Sequence, residues 1–126
     1  MKTIPRVGVW TVLTLLSFIS VMLGLSKFTG QSSTRWAERF AHWGYPVALR
    51  YVVGVLEIVG GIGLVVPIAT RPAAGTLMVV TAGALYTHLS HGEMLRIVPP
   101  LVLGTFAFLI FMWRHPLRRA AHQSGQ

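Results

Sequence analysis

The sequence predicts an all-α fold: a four-transmembrane-helix bundle with a short interfacial amphipathic helix between helices 1 and 2. Three observations carry this. First, 53% of the 126 residues are hydrophobic and only 11% charged, with a mean hydropathy of +0.63. A soluble domain carries about 25% charged residues. Second, the apolar residues fall into four runs of about 17 to 20 residues, enough to cross ~30 Å of hydrocarbon at ~1.5 Å per residue. Third, the runs are nearly continuous in apolar residues and do not alternate with polar ones. A spanning segment must pair its own backbone groups, so such runs fit helices and not alternating barrel strands.

The first helix covers about residues 7–28, and Val7 to Leu25 holds no charged residue. This run is longer than the apolar part of a signal peptide, and no small-x-small cleavage site follows, so it is read as a retained helix. The second covers about residues 47–67 and is interrupted only by Arg50 and Glu57. The third covers about 73–90 and ends around His88. The fourth covers about 97–114, with Pro99 and Pro100 suited to its first turn. All four belong to a single domain, residues 1–126, whose stretch 115–126 reads as a basic, partly disordered tail.

Between the first two runs, Trp36, Phe40 and Trp43 recur at i, i+4 and i+7, with Arg35, Glu38, Arg39 and His42 on other faces. This is the pattern of a short amphipathic helix, started by Ser33 or Thr34 and stopped near Gly44 and Pro46. Its tryptophans suit a membrane interface. A packed loop is the alternative. "PIATRP" (Pro67 to Pro72) reads as a tight turn and "SHGEMLR" (Ser90 to Arg96) as a short polar connection.

Eleven Lys or Arg stand against three Glu and no Asp, a net charge of +8. The basic residues are scattered between apolar runs without a stripe or binding motif, so no nucleic acid partner is expected. Membrane orientation accounts for the charges: Lys2, Arg6, Arg71, Arg114, Arg118 and Arg119 fall on one side of a four-span bundle. The excess places both termini in the cytoplasm and the protein in the inner (plasma) membrane as a multi-pass protein. There is no cysteine, which excludes thiol redox chemistry and thiolate ligands.

Glu57 lies within a lipid-length run, where an unpaired carboxylate costs about 3 kcal/mol on insertion scales. Its helical face holds Gly54, Gly60, Gly61 and, two turns away, Arg50. Glycines let another backbone approach, so this face should turn toward other helices. Thr14, Ser17, Ser20, Gly24 and Lys27 form a matching stripe on the first helix; Thr81, Ala84, His88 and His91 form one on the third. Gly24, Gly54, Gly60 and Gly61 are the expected helix-packing residues. Lys27, Arg50, Glu57 and His88 all fall between midplane and outer interface, and together make the expected ligand pocket. An ion pair that only fixes helix register is the plainer alternative. The histidine spacing in "HLSH" lacks a carboxylate cluster for a metal, and no second helix offers a haem ligand, so no metal and no covalently bound cofactor are expected. No residue is assigned a catalytic role.

"GLSKF" (Gly24 to Phe28), "GYP" (Gly44 to Pro46), "VVGVLEIVGGIGLVVP" (Val52 to Pro67), "RPAAGTLMVVTAGALYTHL" (Arg71 to Leu89) and the Pro-led fourth helix resemble the DoxX family of small bacterial membrane proteins, in its DoxX-like branch. The Lys closing the first helix and the Glu followed by Gly-Gly in the second carry most of the likeness. The resemblance implies a four-helix membrane bundle. It also implies a link to membrane oxidoreductase assemblies, including thiosulfate-to-quinone electron transfer and oxidative-stress complexes; a distant animal relative is a receptor-assembly chaperone. Three functions are therefore carried forward. The first is an oxidoreductase subunit binding a quinone or other lipophilic ligand in the polar pocket, beside a membrane or redox protein partner. The second is a binding or assembly protein. The third is a small proton-coupled transporter, which would require a homo-oligomer. In each case the lipid bilayer is the surroundings.

Overall fold

The computed structural model describes the backbone of residues 6–124 and the side chains of residues 7–112. Among the described residues the chain is all-helical: α1 (Arg6–Ser26), α2 (Gly30–His42), α3 (Leu49–Leu64), α4 (Thr70–Ser90) and α5 (Val98–Ser124). Single 3-10 turns at Pro67–Ala69 and Met94–Ile97 lead into α4 and α5. The charges at Lys2, Arg6, Arg114, Arg118 and Arg119, on which the predicted orientation rests, lie outside the described side chains.

α1 packs on α3, α3 on α4, and α4 on α5. Leu13 and Leu16 of α1, Leu64 of α3, Ala73, Ala74 and Leu77 of α4, and Leu103 and Ala107 of α5 form the apolar core. The outward surface is also apolar: Phe18 is 65% exposed, Val59 61% and Val79 71%. A water-facing bundle would place charge at such positions, whereas lipid accepts them. α1, α4 with its preceding turn, and the described part of α5 are long and apolar enough to cross a membrane (Val7–Ser26, Pro67–Ser90, Met94–Met112). The molecule is a membrane protein.

Four elements differ from expectation. α3 has 16 residues, shorter than the expected 47–67, because Pro46 and Pro67 bracket it and its last carbonyls are closed by the Val65 and Val66 N–H groups. It falls short of the other three helices in spanning length. α4 starts at Thr70, ahead of the expected residue 73, since Pro72 within its first turn needs no backbone donor. Thr70 is buried there, donating to the Leu64 and Val66 carbonyls. α2 starts at Gly30, not at Ser33 or Thr34. Gly30 has φ +56°, which turns the chain directly after α1, and Ser33 then donates to the Lys27 carbonyl. α5 continues as helix to Ser124, past the expected end near residue 114, where "LRRAA" supplies good helix formers. Of the tail expected to be disordered, residues 125–126 lie outside the described residues.

α3 uses its glycines on two sides. A Cβ built on Gly24 would lie 2.5 Å from the Gly54 carbonyl oxygen and 2.6 Å from Ile58 Cγ1, so α1 and α3 cross at backbone contact. A Cβ on Gly61 would meet the Ser17 carbonyl at 3.0 Å, also on α1. Gly60 faces α4 instead, where a Cβ would meet Leu77 Cδ2 at 3.0 Å. α3 is thus the helix through which α1 and α4 are joined. On α5, Gly104 lies against Thr81 of α4, whose Oγ1 would be 2.8 Å from an added Cβ.

Candidate functional site

Lys27 closes α1, its N–H bonded to the Gly24 carbonyl at 3.1 Å. Because α1 and α3 touch at Gly24 and Gly54, the Lys27 stem runs directly along α3. Its Nζ lies 2.7 Å from Glu57 Oε1. Lys27 is 2% exposed and Glu57 6%. The ammonium also lies 3.4 Å from the Leu23 carbonyl and 4.0 Å from the centre of the Trp36 ring on α2. The ammonium thus has a carboxylate, a carbonyl and an aromatic face around it. Among the described residues no other donor reaches Glu57 Oε1. Ser20 of α1 donates to the Glu57 backbone carbonyl at 2.7 Å, adding a second tie between the helices. The arrangement is a closed, charge-compensated joint between α1, α2 and α3.

Of the four residues expected in one pocket, Lys27 and Glu57 pair directly, while Arg50 and His88 bond other partners. Arg50 bonds elsewhere: Nη1 donates to the Val47 carbonyl at 2.8 Å, Nε points to Ser33 Oγ at 3.4 Å, and the guanidinium lies over the Tyr51 ring at 4.1 Å. Arg50 stands in the first turn of α3, so its long side chain reaches toward the polar helix end and not inward. His88 bonds to Glu93, a residue not singled out from sequence. The side-chain pairs formed are thus Lys27 with Glu57 and His88 with Glu93. On α4 the expected stripe is also displaced: Thr81 is buried and His88 half-buried, but His91 is exposed, and its ring bonds the Thr87 carbonyl at 2.8 Å.

The second cluster is assembled by the loop after α4. Gly92 has φ +71°, which returns the chain so that the Glu93 N–H meets the His88 carbonyl at 2.8 Å. The Glu93 side chain then lies over the helix end. Its Oε1 is 2.8 Å from His88 Nδ1 and accepts from Trp43 Nε1 at 3.2 Å. The Trp43 ring stands edge-on to the His88 ring, 5.5 Å between centres at 84°. Tyr45 holds the preceding loop to α4 through a 2.9 Å bond between its hydroxyl and Thr87 Oγ1. The His88 hydrogen bond is the main cause that holds the Glu93 carboxyl below the usual range. An ionised Glu93 accepts, so neutral His88 carries its proton on Nδ1 and presents Nε2 as an acceptor. The described residues gather no group of three His, Cys, Asp or Glu for a metal.

Trp43 and Glu93 also line an open cleft of about 380 Å³ at this end of the bundle, with Arg35, Glu38, Arg39 and His42 of α2 and Arg96 of the turn before α5. Sequence reasoning placed Trp43 only as an interfacial anchor and passed over Glu93. The available signal was a carboxylate five residues after His88, across a glycine.

No curated protein and no solved structure matches the chain. The family model of the DoxX-like family matches residues 3–110, which is most of the sequence. The chain belongs to the DoxX-like family.

Proposed function

We propose that the protein is a four-span membrane subunit of an oxidoreductase assembly, and that His88, Glu93 and Trp43 receive the head of a quinone-like lipophilic molecule. α3 serves as the fourth span, its short length made up by the polar Lys27, Arg50 and α2 layer above it. α2 lies in the membrane interface. The single observation that carries the proposal is the His88–Glu93 pair at 2.8 Å, set beside Trp43 at the polar end of an otherwise apolar bundle. A quinone head must sit where hydrocarbon meets polar groups, and needs one hydrogen-bonding partner fixed in orientation. His88 Nε2 accepts from a reduced head's hydroxyl. Once protonated it donates to an oxidised head's carbonyl, with Glu93 stabilising the imidazolium. Trp43 offers a flat apolar wall. Membership of the DoxX-like family agrees with a membrane setting; the redox assembly is the expectation drawn from resemblance. The Lys27–Glu57 pair, closed and compensated, is given the register role.

Extraction of the chain from its native membrane in mild detergent, followed by native mass spectrometry, tests this. The expected result is a stoichiometric quinone-like adduct that His88→Leu removes. Recovery of bulk phospholipid alone from the wild type contradicts it.

A further inference from the structure

The cleft between α2 and the turn before α5 has a charge arrangement that the His88 cluster does not use. Arg35 and Arg39 are one turn apart on α2 and share a face. Arg96 lines the same cleft from the turn before α5. Two carboxylates line the same space, Glu38 and Glu93. Glu93 Oε1 is already taken by His88 and Trp43, and its Oε2 is 3.9 Å from Arg96, a loose contact. Among the described residues Arg35 and Arg39 form no ion pair with a carboxylate. Arg39 is half-buried over the Trp36 ring, 4.9 Å from its centre. Burial and then the nearby Arg96 and Arg35 make its charged form less favourable than in water. Three guanidinium groups thus converge on one cavity with too little fixed negative charge to offset them.

From this convergence we infer that the cleft is an anion site, in which Arg35, Arg39 and Arg96 hold a phosphate group. The planar forks of arginine suit phosphate oxygens, and the volume admits a phosphate with its attached glycerol. The phosphate can come from an anionic phospholipid headgroup, since the cleft lies beyond the ends of α1, α4 and α5, or from a soluble phosphate. The cleft shares Trp43 and Glu93 with the quinone proposal, but the anion site rests on Arg35, Arg39 and Arg96, which that proposal does not use.

The test is native mass spectrometry of the full chain, titrated with phosphatidylglycerol, with phosphatidylcholine, and with inorganic phosphate as competitor. The expected result is preferential binding of phosphatidylglycerol, weakened about fivefold by Arg39→Gln and by Arg96→Gln. Glu38→Gln, an exposed position where folding is not at stake, should tighten it. Displacement by millimolar phosphate identifies a soluble ligand as the source; no displacement identifies the lipid. Equal binding of the two lipids, no binding of inorganic phosphate, and no response to Glu38→Gln would together overturn the inference.

Discussion

The Lys27 ammonium stands 2.7 Å from the Glu57 carboxylate, both residues almost wholly buried where α1 meets α3. Neither charge is tolerable alone in that place. Removing one partner leaves the other buried and uncompensated, which costs about 3–5 kcal/mol in buried pairs. Glu57→Gln should therefore destabilise the chain by about that amount in denaturant or thermal unfolding in micelles. Replacing both, as Lys27→Met with Glu57→Leu, should recover most of the loss, because an apolar pair of similar volume needs no compensation. A double-mutant cycle reads the coupling directly.

The glycine contacts predict an ordered set of steric effects. Gly24→Ala puts a methyl group 2.5 Å from the Gly54 carbonyl, and backbone cannot yield cheaply. It should cost about 1–3 kcal/mol. Gly83→Ala on α4 meets nothing within 4 Å and should be neutral or slightly stabilising. Unfolding midpoints of the two variants provide the comparison.

Much of this was legible in sequence, for local reasons. Run length and hydropathy are properties of the chain, so the helical class and the approximate helix positions followed from them. That Glu57 would be paired with a basic residue was legible because an unpaired charge is costly near lipid and its face carries glycines. Choosing between Lys27 and Arg50 as the partner was not, because the choice depends on where α1 crosses α3. That crossing is set by the Gly24 and Gly54 contact between distant parts of the chain. The His88–Glu93 bond was hidden for a similar reason. Glu93 read as a solvated loop residue until the Gly92 turn placed it over the end of α4.

A pH dependence follows from Glu93, whose carboxyl is held below its ordinary range, chiefly by the His88 hydrogen bond. A lowered folded-state value means that the contribution to stability is fully present above the unfolded value, about 4.3. It is lost as the pH falls through the lower folded value. The loop after α4 should therefore loosen below about pH 4, seen as faster amide exchange around residues 92–97. Glu93→Gln should abolish that step.

With α3 as the proposed fourth span, the α2 region and the turn before α5 fall on one side of the membrane and the turn before α4 on the other. The chain contains no cysteine, so single thiols report cleanly. Leu95→Cys, at a position 90% exposed, should be labelled from one face by an impermeant maleimide, and Ile68→Cys, 92% exposed, only from the other. Labelling of both from the same face would leave α3 on the membrane surface instead of across it.

The division of labour between the two clusters is tested most directly by titrating a short-chain quinone analogue into the nanodisc-embedded chain and following quenching of tryptophan fluorescence. Trp43 should report occupancy beside His88. Quenching should saturate in the wild type and persist in the Lys27→Met, Glu57→Leu double variant, and His88→Leu should weaken it at least tenfold. Saturable binding that survives His88→Leu but vanishes in the double variant would contradict the account, returning the ligand to the Lys27–Glu57 joint.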